Sequence, residues 1–301
     1  MPRTPTEASD ADALVPFVVD GASVRGSLIR LDATSATILA QHDYPPALAR
    51  VLAELSAAAA LLASTLKLDG SLVVQLSGDG PVRLLVVECT DALDLRATAQ
   101  WNEARVAAQP HEPSLAMLAG GPAHGRLTIT LDQRNSGTLY QGVVALDGTS
   151  VAASIEHYLT TSEQLRSRLW LVATGTQVAG LLLQRLPDAS DDEARAWPRL
   201  VAGIDASIAK AVHAPRFADA LRALFPRDDV RMFDPRPVRF ACRCSAGRVA
   251  NALRIAGRDE IEATLAERGI VEVTCEFCNR RYTFGAAEAR ALFARPADAR
   301  G

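Results

Sequence analysis

The stretch Val238-Arg-Phe-Ala-Cys242-Arg-Cys244-Ser245, answered about thirty residues later by Val273-Thr-Cys275-Glu-Phe-Cys278-Asn-Arg-Arg-Tyr282, decides how this chain is read. Four of its five cysteines sit there in two tight pairs. C-x-C and C-x-x-C each bring two sulfurs into one coordination sphere, and two such pairs supply the four thiolates that structural zinc takes in tetrahedral geometry. Asn279 follows the second pair, and asparagine tolerates the positive φ that a turn after such a knuckle requires. Between the pairs, Val249, Leu253, Ile261 and Leu265 read as a helical insert stopped by Gly269. Ile270 to Val273 then returns as a strand, and Tyr282 and Phe284 alternate along a second one.

Working outward, 301 residues suggest about two domains, each able to bury a core. Hydrophobic content of 49% excludes a disordered chain, and a net charge of −3 argues against a dedicated nucleic-acid binder. Residues 1–13 are polar and read as frayed, with no apolar core for a secretory signal. No run approaches the ~18 apolar residues of a membrane span. The expected compartment is the cytosol, where cysteines stay reduced and close pairs favour metal over structural disulfides.

The body reads as two rounds of hairpin, helix, hairpin. Val15, Phe17 and Val19, then Asp20-Gly21, then Val24 to Leu31 give the first hairpin. Pro45-Pro46 opens a helix to about Lys67, with Leu48, Val51, Leu52, Leu55, Ala59, Leu62 and Leu66 on one face. Leu72 to Leu76 and Val82 to Glu88 pair across Ser77-Gly-Asp-Gly80, with 92–101 continuing the sheet. Residues 109–125 read as loop. Another hairpin turns at Arg134-Asn135-Ser136-Gly137 and ends at Asp147-Gly148. A helix follows from about Ser150 to Arg168 with Ile155, Leu159 and Leu165 inward, then strands at 170–173 and 178–186. The fold class is α+β: a mainly antiparallel sheet with packed helices over 14–187, a helical linker over 188–237 and a small C-terminal zinc-binding domain over 238–290. The linker opens on a charged break at 187–193 and reads as short helices carrying few large apolar residues. It closes on a proline-marked segment at 226–237, and residues after Arg290 fade into an unstructured end.

A module of about fifty residues is marginal alone. Zinc on Cys242, Cys244, Cys275 and Cys278 adds about 10–16 kcal/mol of apparent binding energy in comparable peptides. Four thiolates on one zinc leave a net charge of −2, which Arg239, Arg243, Arg280 and Arg281 stand close enough in sequence to offset. Cys89 has no partner and reads as a buried structural thiol. His42, His111, His124, His157 and His213 stand at no ligand spacing, and no nucleophile or phosphate-loop motif is present. Nothing in the sequence calls for an enzyme. The spacing by itself leaves open a passive zinc ribbon and a ribbon that docks nucleic acid or a ribosomal partner through its arginines.

Together these motifs resemble the heat-shock protein 33 family, the redox-regulated holdase chaperones of bacteria. The resemblance runs from about Leu14 to Phe284. It is carried by Val82-Arg-Leu-Leu-Val-Val-Glu88, Gly125-Arg-Leu-Thr-Ile-Thr-Leu-Asp132, Tyr140-Gln-Gly-Val-Val144, Tyr158 with Ser162-Glu-Gln164, Leu183-Gln-Arg-Leu-Pro187 and, above all, the two cysteine segments. It implies a reduced, inactive form holding one zinc through Cys242, Cys244, Cys275 and Cys278. It further implies that oxidation forms Cys242–Cys244 and Cys275–Cys278 disulfides, releases zinc and loosens the redox-sensitive linker. The exposed surface would then bind unfolding client proteins without ATP, with a homodimer as the active form in the cytoplasm. The chain departs from the family at Ala246-Gly247, where charged residues are usual; glycine in a first helical turn weakens it. Its N-terminal extension is also longer than the family pattern.

Overall fold

The computed structural model describes residues 11–66, 68–134, 139–144, 146, 150–187, 191–211 and 214–293, and the chain forms two compact units, Met1–Ala241 and Cys242–Gly301. Of the start expected to be frayed over 1–13, residues 1–10 lie outside the described residues, as do Lys67, the turn at 135–137, Asp147-Gly148, the core of the charged break at 188–190, His213 and the tail from 294. Ala13 instead opens a strand, and the Asp12 carboxylate accepts from the backbone N–H of Asp32, Ala33 and Thr34.

In the first unit, strands β1 (Ala13–Val19) and β2 (Val24–Leu31) form the hairpin expected at Asp20-Gly21, with Gly21 at φ 71°. Helix α1 (Ala33–Leu39) precedes α2 (Pro46–Thr65). Strands β3 (Gly70–Ser77), β4 (Val82–Thr90) and β5 (Asp94–Trp101) follow, then the short helices α3 (Glu103–Ala107) and α4 (Leu115–Ala119). Next come β6 (Arg126–Gln133), β7 (Leu139–Val144), α5 (Val151–Thr161), β8 (Ser167–Thr174) and β9 (Gln177–Arg185). Helices α6 (Asp191–Ala211) and α7 (Phe217–Leu224) lead to the short strands β10 (Val230–Met232), β11 (Arg236–Pro237) and β12 (Arg239–Phe240).

The strands make two sheets. The first runs β10-β1-β2-β9-β8, with β11 also on β1; the second runs β12-β5-β4-β3-β6-β7. The first unit's first and last hairpins therefore share a sheet, joined where β2 meets β9 in antiparallel register from Val24↔Arg185 to Leu31↔Val178. Apart from β12, which pairs parallel with β5, the ladders are antiparallel. The α+β class expected from the sequence is the one found.

Helix α2 packs on strands of both sheets and is buried nearly all round from Val51 to Ala63. Its run of alanines at 57–60 is fully buried and offers only methyl groups to the elements packed around it. By length and hydropathy it does qualify as a membrane span, against the sequence expectation, yet 78% of the qualifying window is buried within the protein. A helix that is apolar all round belongs either in a bilayer or in a core, and here the core takes it.

Several expectations are corrected. Residues 109–125 are not all loop: Ser114 caps α4 by accepting from Met117 N, and Gly120 ends it at φ 94°. Helix α5 stops at Thr161 rather than Arg168, because Gln164 takes φ 53° and turns the chain into β8, leaving Leu165 outside the helix. The linker's first part is one helix of 21 residues, with Pro198 inside it. An interior proline costs about 3 kcal/mol. Trp197, Leu200 and Ile204 are all buried, at about 1.5–3 kcal/mol each.

Those residues face the first sheet. With Phe217, Ala220, Leu221, Leu224 and Phe225 they form a cluster on Val15, Phe17, Leu28, Trp170, Leu181 and Leu183. Polar ties fasten the edge: Trp170 Nε1 donates to Asp205 Oδ1 at 2.7 Å, and Arg30 lies over the Phe217 ring. The linker thus carries more large apolar side chains than the sequence suggested, and buries them. Replacing Phe217 by Ala removes an aromatic side chain that is 1% exposed and is expected to lower stability by about 3–5 kcal/mol. Urea unfolding followed by the fluorescence of neighbouring Trp170 and Trp197 checks this. A loss no larger than that of the exposed control Arg222→Ala would show that α7 is not docked as described.

Candidate metal centre

The second unit is built on a two-stranded ribbon. Strands β13 (Ile270–Thr274) and β14 (Arg281–Gly285) pair antiparallel from Ile270↔Gly285 to Thr274↔Arg281. Residues 275–280 are therefore the tip between the strands. Cys275 N donates to Arg280 O at 2.9 Å and closes the tip, while Cys278 N and Asn279 N both donate back to Cys275 O. Asn279 sits at φ 52°, the left-handed conformation expected of it. Backbone N–H groups of Phe277 and Arg280 also point at the sulfurs of Cys275 and Cys278.

Helices α8 (Ala246–Ala256) and α9 (Arg258–Arg268) form the insert, separated by Gly257 at φ 101°. Gly269 at φ 72° stops α9 as the sequence indicated. Ser245 Oγ accepts from Arg248 N at 3.3 Å and caps α8, which supports a first turn that Gly247 weakens. This cap fixes where the chain leaves Cys244. Helix α10 (Ala286–Ala291) closes the unit. The core is small: Val249, Leu253, Ile261, Leu265, Val271 and Ala289.

On this frame Cys242, Cys244, Cys275 and Cys278 converge, with their four Sγ atoms all within 4.8 Å of one another. Cys242 Sγ lies 3.7 Å from Cys275 Sγ, and Cys244 Sγ lies 3.4 Å from Cys278 Sγ. Each thiol is half-buried. Among the described residues this is the one convergent group of metal-ligating side chains.

The thiols are electrostatically unequal. Burial pushes Cys244 up, but hydrogen bonds from Tyr282 and from the neighbouring thiols outweigh it and bring it down to about 7. Burial and the bonds it shares with Cys244, Cys242 and Cys275 push Cys278 up to about 12, against a backbone N–H from Arg280. Burial also raises Cys275. Four like charges cannot share this volume uncompensated, and a divalent cation is the partner that lets all four ionise. The donor set fits such an ion. Four soft thiolates would fill the coordination sphere of a tetrahedral ion such as zinc.

The arginines divide differently from the sequence expectation. Arg239 is held by Asp94 at 2.6 Å in the first unit, and Arg281 by Glu272 at 3.2 Å. Arg280 feels the site, with Tyr282 and the Cys244 and Cys278 thiols holding its guanidinium above its ordinary value, while burial and the neighbouring Arg248 lower that of Arg243. Sequence reasoning took Tyr282 as one residue of a strand pattern. Its Oη donates to Cys244 Sγ at 3.1 Å, which no spacing rule signals.

Cys89 lies apart, fully buried on β4 in the first unit, where burial holds its thiol well above its ordinary range. Alkylation of the folded, chelator-treated protein is therefore expected to modify Cys242, Cys244, Cys275 and Cys278 and to spare Cys89 until denaturant is added. Peptide mass spectrometry reads this directly, and early modification of Cys89 would contradict the packing of β4.

The comparisons with known proteins agree over the length of the chain. A family model described as Hsp33 protein matches residues 12–285. A 33 kDa chaperonin of Methylobacillus flagellatus is 39% identical over 285 residues, 94% of each chain. One of Azotobacter vinelandii is 43% identical over 291 residues, 95% of this chain and 96% of its own. The crystal structure of a 33 kDa chaperonin from Thermotoga maritima shares the fold, with a TM-score of 0.69 at 21% identity over 93% of this chain and 97% of that one.

Proposed function

The chain belongs to the Hsp33 family of chaperones, and from that footing we propose that it is a redox-regulated, ATP-independent holdase. The observation that carries this reading is the convergence of four thiols within 4.8 Å on a unit with a six-residue apolar core. Such a unit depends on its metal more than on its packing.

In this reading Cys242, Cys244, Cys275 and Cys278 hold one zinc in the reduced, inactive protein. Bound zinc supplies about 10–16 kcal/mol of apparent binding energy to a module of this size. Hydrogen peroxide takes two electrons from each close pair; its O–O bond breaks and, with two protons, leaves as two waters. The Cys242–Cys244 and Cys275–Cys278 bonds form, following the family pattern. A disulfide sulfur is a poor metal ligand, so the module loses its organising contacts.

The three-part division follows: a chaperone core over 14–187, a redox-sensitive helical linker over 188–237 and a tetracysteine domain over 238–290. Cys242 comes just after β12, and between it and α7 the chain is tied to the sheets by strands of two or three residues. Short ladders of this kind open readily. Release of α6 and α7 would uncover Val15, Phe17, Leu28, Trp170, Leu181 and Leu183, an apolar face suited to unfolding client proteins. The same face would promote a homodimer of the active form. The compartment in this reading is the cytoplasm, where a reducing pool resets the thiols. A nucleic-acid role has little to recommend it, since Arg239, Arg281 and Arg290 are engaged by Asp94, Glu272 and Glu262.

The test follows zinc content, free thiols and suppression of client aggregation before and after peroxide at elevated temperature. One zinc and five thiols are expected to fall to no zinc and one thiol, with Cys89 remaining, as holdase activity rises. Zinc retained under oxidant and heat, or equal activity in both states, would sink the switch.

A further inference from the structure

Resting on the zinc-and-thiol reading above, we propose that Tyr282 is a positioning residue that governs how tightly Cys244 holds the metal and how readily it yields to an oxidant. Tyr282 stands on β14 opposite Val273 on β13, with its ring packed on the small core of the unit. Its Oη donates to Cys244 Sγ at 3.1 Å. Arg280, two residues earlier, is a cation whose guanidinium Tyr282 and the Cys244 and Cys278 thiols hold above its ordinary value. A cation beside a phenol makes its O–H the better donor, here toward the Cys244 sulfur.

This sets Cys244 apart from the second pair. The sulfurs of Cys275 and Cys278 take backbone N–H groups, from Phe277 and Arg280, that come with the knuckle itself. The donor to Cys244 is a side-chain hydroxyl, free to vary without altering the turn. A donor to a thiolate ligand orients its lone pairs and stabilises its charge, as partners of metal ligands generally do. The same bond draws electron density from sulfur and slows its attack on a peroxide. In that attack Cys244 Sγ takes the terminal oxygen, the O–O bond breaks and hydroxide leaves. Cys242 then displaces a second hydroxide from the sulfenic acid to close the S–S bond. Two electrons pass from sulfur to peroxide, and two protons from solvent convert both hydroxides to water.

Tyr282→Phe keeps the ring and removes only the donor. In the full-length protein, the variant is expected to bind one zinc with about 10-fold lower affinity by chelator competition. It is also expected to lose the Cys244 thiol to hydrogen peroxide faster than the wild type, by timed alkylation and mass spectrometry. Arg280→Met should move both readouts the same way by less, and Arg280→Lys should restore them. Wild-type affinity and a wild-type rate in Tyr282→Phe would overturn the proposal. So would a shift in thermal stability alone, which is what a packing role produces. Should Tyr282→Phe disorder the unit, Arg280→Met decides by the same two measurements. The wild-type control separates this from the switch: wild-type protein that keeps its zinc under peroxide refutes the switch, while zinc affinity still tests Tyr282.

Discussion

A β-sheet that is apolar on both faces has to be covered twice. Strand β9 is buried at seven consecutive positions from Val178 to Gln184, and β2 beside it and β1 beyond alternate between two cores. Leu14, Ile29 and Leu182 point into the core around α2, while Val15, Leu28, Leu181 and Leu183 point into the core under α6 and α7. The first cover is an integral part of the body, since α2 also supports the second sheet. The second is made of linker helices whose packing is confined to one side. The first sheet thus depends on a cover that the rest of the core does not need.

That asymmetry connects stability to function. Pulling α2 away would dismantle both sheets. Releasing α6 and α7 would expose one large apolar face and leave the α2 core intact. Exposed patches of that kind bind unfolded chains and also associate with themselves. The switch proposed above uses this cover as the part that is stable in one state and lost in another, with the small cysteine unit as the chemically labile element next along the chain.

Much of this was legible in the residues. The first hairpin, α2, the pairing of β3 with β4, the Gly269 stop and the positive φ of Asn279 all follow from local chemistry: turn glycines, proline at a helix start, apolar periodicity. So did the grouping of Cys242, Cys244, Cys275 and Cys278. Local chemistry also misled. Pro198 argued for short helices, but burial of Trp197, Leu200 and Ile204 carries α6 through it. Apolar spacing ran α5 on to Leu165, while Gln164 turns the chain after Ser162. The linker's apolar residues looked sparse because they are spaced along one face and meet only when that face docks.

By itself the sequence determined which side chains can hold a metal, because C-x-C and C-x-x-C keep the two sulfurs of each pair close along the backbone whatever the rest of the chain does. It also determined the helical and hairpin units, whose signals are short-range. Only the tertiary structure decided that β2 meets β9 across some 150 residues, that the linker covers a second apolar face, and that the Tyr282 hydroxyl reaches Cys244. These are contacts between distant segments. Their free energy comes from area removed from water and from one donor meeting one acceptor, quantities that exist only once the segments are brought together.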